Sequence, residues 1–475
     1  MAARGGGIFA GVVAAAACAA MYYFGTGLHP IWYLTWLAPL PILLLATRAE
    51  PRVVRWAAFL AFAVGALNMW SYYHQVDVPL GLRLLVTVGP ALMFLWAVMR
   101  FRALALGGHL MRAVVVVPSL WVAYEYLAEF RSPHSTYGNL AYTQMNFPPA
   151  LQIAAVTGIW GISFLLFLLP AAIAGILTPG ASWRQKRRVA LWAAVFFLVV
   201  LGASWRRLNT APAGPQVKVG LVDVDATVSR VPRGSAGLEL VKAYADEAPK
   251  LAQRGAEVIV IPEKVAGLND YEVRQADNIF GAAASTSHVT ILAGFLHLPN
   301  LNEARIYSPE GRLEATYEKH HMLPAFESDL LPGTARVILE RPSGKWGIEI
   351  CKDMDFPHLS REYGRDGAGL MLVPAWDFVT DGWLHGRMAV LRGVESGFSI
   401  ARAAQEGILT VTDSRGRVLG EQVTGGTGFV SLVASVPVKN EPTIYARTGD
   451  WFAWANLVLA AFLLFWPVRR GAYGV

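Results

Sequence analysis

Arg206-Arg207-Leu208-Asn209-Thr210-Ala211-Pro212-Ala213-Gly214-Pro215-Gln216-Val217-Lys218-Val219-Gly220-Leu221 is the stretch at which this chain changes character. On its N-terminal side lie seven apolar runs, near 8–24, 31–47, 53–74, 82–99, 110–130, 150–178 and 189–205. Each is close to the ~20 residues that a bilayer requires of a helix. An eighth run starts at Trp451 and reaches about Val468. Ala211–Pro215 reads as a linker, and Val217, Val219 and Leu221 then alternate as in a half-buried strand. The expected organisation is a membrane domain of seven transmembrane helices over 1–210, a separate folded domain over 211–448 and a C-terminal transmembrane helix over 449–475.

Composition agrees. Of 475 residues 54% are hydrophobic and 16% charged, against about 25% charged in soluble domains. Sixteen Trp, 16 Tyr and 22 Phe exclude a disordered chain, and two cysteines exclude a disulfide scaffold. The net charge of +7 is not a nucleic-acid signal, because its basic residues sit in short links between apolar runs. One set of links holds Arg4, then Arg48, Arg52 and Arg55, then Arg100, Arg102 and Arg112. The same set continues with Arg184, Lys186, Arg187 and Arg188, and ends with Arg469 and Arg470. The alternate set holds only Arg83, Arg131, Arg206 and Arg207. The positive-inside rule places both termini in the cytoplasm and 210–448 outside, which in a bacterium is the periplasm. The first run, with Ala17–Ala20 at its end, is read as an uncleaved helix rather than a signal peptide, and Cys18 as a small buried residue in it.

The 211–448 segment reads as α/β. Val258–Ile261, Val289–Phe295, Ile348–Ile350 and Leu370–Val373 are short apolar runs suited to covered strands. Leu238, Val241, Ala245 and Ala248 mark an amphipathic helix. Ser308–Gly311 and Asp413–Gly416 read as hairpin turns.

Three stretches here carry chemistry. Ile261-Pro262-Glu263 puts a carboxylate just past a strand, where side chains converge in open α/β sheets. Tyr317-Glu318-Lys319-His320-His321 leads to Leu323-Pro324-Ala325-Phe326-Glu327. Trp346-Gly347-Ile348-Glu349-Ile350-Cys351 ends a strand on a cysteine whose sole possible disulfide partner lies in the first membrane helix. A thiolate nucleophile needs a base for its proton and a cation or donor for the oxyanion. Glu263, Lys319 and Cys351 can supply base, cation and nucleophile. Taken singly, each has a plain reading as a solvated charge or a buried thiol. Adjacent His320 and His321 do not have the spacing of metal ligands on one helical face, so no metal is expected; His320 is read as orienting the Lys loop. The Asp353–Asp355 pair reads as a helix-start cap. Glu125, within a span, is expected to face a protein or water-lined interior. No Gly-rich phosphate loop follows a strand, which argues against nucleotide use.

The order Glu263, Lys319, Cys351 and its surroundings resemble the nitrilase superfamily, carbon–nitrogen hydrolases with a Glu-Lys-Cys triad on an αββα sandwich. Glu327, eight residues after the Lys, matches a second glutamate common there. The whole chain resembles the membrane-bound branch, the apolipoprotein N-acyltransferases. Leu28–Leu34 with Leu37–Leu40, Leu120–Leu127, Ala141–Gln144 and Gly158–Phe164 resemble that family's second, fifth and sixth helices. The resemblance implies about eight transmembrane helices in the inner membrane and a nitrilase-like α/β sandwich. It also implies transfer of an acyl chain from a phospholipid, through a Cys351 thioester, to the amine of a diacylglyceryl-cysteine lipoprotein. Glu327, Lys352 and Asp353 would support the site, and Trp376, Asp377 and Phe378 are candidates for substrate binding. No cofactor, no metal and no nucleic acid would take part, and the chain would work as a monomer among membrane lipids. Lys352-Asp353 stands where the family usually has Tyr-Glu, and Val373–Phe378 where it has Asn-Asp-Ala-Trp-Phe. Lys264 follows the Pro-Glu where a small polar residue is typical, and Ser135–Asn139 replaces Phe-Pro-Trp. A different amine acceptor and a membrane-anchored amidase therefore stay open as alternatives. A transporter or scaffold is the non-enzyme reading, against which the intact triad speaks.

Overall fold

A computed structural model describes residues 2–210, 212, 214–224, 231–426 and 428–467, with side chains from residue 6 onward. Ala211, Ala213, Val468, Arg469 and Arg470 lie outside the described residues, as does the side chain of Arg4. The chain forms two units. One is Met1–Ser132, Gly138–Arg207 and Asp450–Val475; the other is Pro133–Tyr137 and Leu208–Gly449.

The first unit is helical. Among the described residues, Gly6–Gly25, Pro51–Gln75, Leu80–Leu106, Leu110–Glu129 and Trp183–Asn209 are long and apolar enough to cross a bilayer. The expected count of eight is therefore not met by length and composition, and the reasons are local. The second run breaks into Trp32–Thr35 and Leu40–Ala46 around Pro39 and Pro41, since proline supplies no N–H to a preceding turn. The sixth run is a pair, Pro148–Thr157 and Trp160–Ile176, bent by 120° at Gly158, whose φ is +67°. The last helix, Trp451–Phe465, has 15 residues, about 22 Å against the ~30 Å of a hydrocarbon core.

Broken backbone in an apolar domain needs internal partners, and this unit provides them. The Gln144 amide donates to Trp32 O (3.0 Å) and Thr35 Oγ1 (2.7 Å) and accepts from Trp36 Nε1 (2.7 Å). Glu125 accepts the Leu140 N–H at 2.9 Å and so faces protein, as the sequence predicts. Phe62 and Phe94 stack at 3.9 Å and Trp121 and Phe167 at 4.5 Å between the long helices. Trp454 Nε1 donates to Tyr126 Oη at 2.6 Å, holding the last helix in the unit.

The second unit is a four-layer αββα sandwich. Its strands are β1 Gln216–Asp223, β2 Val258–Val260, β3 Ala266–Leu268, β4 Thr290–His297, β5 Leu301–Tyr307 and β6 Leu313–Glu318. Then follow β7 Ile338–Arg341, β8 Gly344–Ile348, β9 Ala368–Trp376, β10 Ser399–Gln405, β11 Ile408–Thr412, β12 Val418–Val423 and β13 Val430–Pro437. One sheet runs β13-β1-β2-β4-β5-β6, with β3 also on β4; the other runs β12-β11-β10-β9-β8-β7. β1, β2 and β4 are mutually parallel, as are β8, β9 and β10.

The inner faces meet in one core: Val219, Leu221, Val260 and Tyr317 from the first sheet, Ile348, Leu372, Ala401 and Val411 from the second. The outer face of the first sheet packs on Gly234–Gln253 and Asp270–Ser287 through Val241, Ala245 and Phe280. The outer face of the second packs on Pro357–Arg365 and Gly382–Ser396 through Leu359, Tyr363 and Ala389. Burial on both faces explains why β2, β4 and β9 are continuous apolar runs rather than alternating ones.

Candidate active site

The three candidate stretches end at one place because each sits just past a strand end: Glu263 after β2, Lys319 after β6 and Cys351 after β8. Glu263 is fixed through its backbone, its N–H on Ala375 O (3.3 Å) and its carbonyl on Gln405 Nε2 (2.5 Å). That path demands a bare residue on β4. A Cβ at Gly294 would lie 2.5 Å from Pro262 O and 2.7 Å from Glu263 Cα. Lys319 is held by its N–H on Asn302 O and its carbonyl on Gly333 N, both 2.8 Å.

The side chains form a closed charge cluster. Lys319 Nζ donates to Glu263 Oε1 and Glu327 Oε2, each at 2.8 Å. Lys264 Nζ pairs with Glu327 Oε1 and lies 3.6 Å from Glu263 Oε1. Between the carboxylates Asn302 Nδ2 donates to Glu263 at 2.6 Å and to Glu327 at 2.9 Å. The Leu323 N–H closes the loop on Glu327 at 2.8 Å. All but Lys264 are at most 2% exposed. Two ammonium groups thus face two carboxylates, which lets the cluster stay ionised in a place where an unpaired charge would not. Burial opposes the Lys319 cation, but Glu263 and Glu327 hold its pKa well above the ordinary range. Burial likewise opposes the Glu327 carboxylate, and Lys319 and Lys264 hold it down to about 2.

Cys351 opens a tight turn, Cys351–Asp355, with φ +45°, a left-handed conformation that a side chain adopts only when its surroundings enforce it. The partly exposed thiol donates to Trp376 O at 3.3 Å. Burial and the charge of Glu263 raise its pKa, and Lys319 opposes them. The Cys351 thiol is therefore neutral at rest, and Lys319 is a group that favours its ionisation.

The other residues singled out in the sequence divide by role. Asp353, fully buried, accepts Tyr317 Oη (2.8 Å), His321 N (2.8 Å), His320 N (3.2 Å), His321 Nδ1 (2.9 Å) and Ile350 N (3.2 Å). It ties the lysine loop to the cysteine turn, and its cap on Ile350 N is one part of that. His320 stacks on Tyr317 at 5.2 Å. Lys352 points away from the cluster, to Asp355. The Trp376 ring lies 5.4 Å from Lys264 Nζ, and Phe378 contacts the exposed Phe326 at 5.4 Å. Asp377 differs from these. It is 3% exposed and held by both terminal nitrogens of Arg402, at 2.5 and 2.8 Å. Asn302, Lys264 and Arg402 contact the candidate residues directly and were not named from the sequence as site residues. Lys264 carried one sign, an unusual residue beside the glutamate; Asn302, the second residue of β5, carried none. Among the described residues no cluster of His, Cys, Asp and Glu could hold a metal ion.

Comparison with known proteins places both units. Residues 10–172 match the family model for the apolipoprotein N-acyltransferase N-terminal domain, and 220–434 that for carbon–nitrogen hydrolases. The chain is similar to the apolipoprotein N-acyltransferase of Geobacter metallireducens, 27% identical over 95% of this chain and 93% of that one. It is also similar to apolipoprotein N-acyltransferase 1 of Treponema denticola, 23% identical over 88% of each. Among solved structures, an amidase from Nesterenkonia sp. is 19% identical, covering 52% of this chain and 98% of that one with a TM-score of 0.42.

Proposed function

We infer that this chain, which joins the N-terminal domain of apolipoprotein N-acyltransferases to a carbon–nitrogen hydrolase domain, belongs to that acyltransferase family and transfers an acyl chain through Cys351. The observation that carries the residue assignment is the ionised Glu263–Lys319–Glu327 cluster beside a neutral thiol on a strained turn. The donor is a phospholipid and the acceptor the N-terminal amine of a diacylglyceryl-cysteine lipoprotein. Cys351 Sγ attacks the ester carbonyl carbon while Glu263 takes the thiol proton. Lys319 and backbone N–H groups of the cysteine turn face the oxyanion. The tetrahedral adduct collapses, the C–O bond breaks, and the departing glycerol oxygen takes the proton from Glu263. A lysophospholipid leaves and a thioester remains. The α-amine then attacks the thioester, Glu263 takes its proton and returns it to the departing sulfur, and an amide is formed.

Several features support this reading. Phe326 and Val379, 53% and 74% exposed, offer apolar surface beside the Glu327 and Phe378 loops. A chain that stays in the bilayer needs such a surface, because each buried methylene is worth about 0.8 kcal/mol. The basic links support a topology of eight crossings in the bacterial inner membrane, with both termini cytoplasmic and 211–448 in the periplasm. The two shorter helices and the bent pair would then be crossings as well.

The test uses the purified full chain in detergent with phosphatidylethanolamine labelled in one acyl chain and a synthetic diacylglyceryl-cysteine peptide. A labelled acyl group on Cys351 and then on the peptide amine, both lost in Cys351→Ala, is the expected result. Labelled Cys351 without transfer would point to another acceptor. No label on either would overturn the phospholipid donor and favour a membrane-anchored amidase.

A further inference from the structure

The catalytic cluster leaves a second group of buried charges unexplained, on the opposite side of Cys351 from the lysine loop in sequence. Lys352, 4% exposed, donates to Asp355 Oδ2 at 3.3 Å and meets His134 Nδ1 at 3.1 Å. His134 belongs to Pro133–Tyr137, a short segment that packs with the catalytic unit. The same segment is attached twice more. Thr136 Oγ1 donates to Asp355 O at 2.9 Å, and the Tyr137 ring stacks on His385 at 5.6 Å. His385 in turn faces Asp355 at 3.8 Å and Asp381 at 3.4 Å. Ser135, in the middle of the segment, is buried with φ +47°.

We propose that Lys352 is a positioning residue whose buried ammonium clasps segment 133–137 onto the Cys351–Asp355 turn and thereby fixes the nucleophile and the N–H groups that follow it. The turn is then gripped from two sides: Asp353 holds the lysine loop, and Lys352 with Asp355 holds 133–137. Chemistry requires the direction of the bond. An ammonium only donates, so His134 accepts at Nδ1 and is neutral. Burial and the Lys352 charge push His134 down to about 4, while Asp355 works against them. Across the cluster burial opposes the His385 cation, but Asp381 and Asp355 hold it up to about 10. Arg402 and Asp377 act on the same carboxylate and imidazole from β10 and the end of β9. With these charges in place the clasp is closed at neutral pH and opens where His134 gains a proton. The role deepens the acyl-transfer reading and rests on it for its second readout only.

The experiment is a double-mutant cycle of Lys352→Met and His134→Phe in the full chain, with Lys352→Arg as the conservative variant. His134→Phe leaves the Lys352–Asp355 pair, and Lys352→Met leaves His385 beside Asp355, so neither orphans a buried charge. The first readout, which needs no substrate, is the alkylation rate of Cys351 by iodoacetamide, mapped by peptide mass to separate it from Cys18. The second is thioester formation from phosphatidylethanolamine. Lys352→Met and His134→Phe should change alkylation by the same factor, and the double variant no further. Both should lower the maximal thioester rate about 10- to 100-fold without changing half-saturation by phospholipid, and Lys352→Arg should retain most of it. Wild-type alkylation in Lys352→Met, or effects of the two substitutions that multiply, would overturn the clasp. A wild-type chain that alkylates yet forms no thioester overturns the phospholipid-donor reading, and the alkylation cycle still decides the clasp.

Discussion

Asn302→Asp puts a third carboxylate where a neutral amide now bridges two. Asn302 Nδ2 lies 2.6 Å from Glu263 and 2.9 Å from Glu327. At an effective dielectric of about 20, like charges at such a distance repel by about 6 kcal/mol per contact. Lys264 and Lys319 are already shared by the two existing carboxylates. That repulsion favours protonation of one member of the trio, which keeps one proton bound at neutral pH. The sign follows from linkage. Glu327, depressed to about 2, contributes stability that is complete above its unfolded pKa and is lost as pH falls towards 2. Glu327 therefore gives the wild-type chain no slope between pH 5 and 8. In the variant the folded state binds a proton that the unfolded state has released, so stability falls as pH rises, by about 1.4 kcal/mol per pH unit. From pH 5 to 8 that is about 4 kcal/mol, or roughly 10 °C in Tm for a domain of this size. Intrinsic fluorescence of the 16 tryptophans during heating of the full chain in detergent reads it. Asn302→Ala is the control, since it loses both bonds but gains no charge, lowering Tm without a new slope. If Asn302→Asp follows the same pH dependence as Asn302→Ala, Asn302 does not bridge the two carboxylates and the reasoning is refuted.

Three further outcomes are expected. Lys319→Met removes the group that lowers the Cys351 pKa, so alkylation of Cys351 at pH 8 slows and its pH profile moves upward. Thioester formation drops about 10²- to 10³-fold, as for the loss of an oxyanion donor. Arg402→Met leaves Asp377 buried and unpaired and should cost about 3–5 kcal/mol; adding Asp377→Asn should recover most of the lost Tm. Gly294→Ala places a methyl 2.5 Å from Pro262 O, costing about 1–3 kcal/mol through overpacking. Because the displaced backbone carries Glu263, thioester formation should fall about tenfold or more in a chain that still folds.

The linear chain determined what depends on local pattern. Apolar runs of bilayer length, the asymmetry of Arg and Lys between alternate links, and the change to short strands after Pro215 all concern neighbours in sequence. So does the placement of Glu263 just past one strand and of Cys351 at the end of another. Local pattern failed where backbone could bend inside protein. Pro39 and Gly158 read as parts of continuous apolar runs, yet the helices break there, and before Pro39 the Gln144 amide takes up Trp32 O inside the unit. Tertiary structure alone decided which charges meet. Asn302 is one polar residue in a strand until β5 lies beside the Glu263 and Lys319 loops. Asp377 is a candidate for substrate binding in the sequence, and only the pairing of β9 with β10 shows that Arg402 lies against it. His134 is more than 200 positions from Lys352, and no periodicity or spacing joins them. Burial is the physical reason for the difference. A charge in water needs no partner, and only the folded chain shows which charges have left water and must therefore be matched.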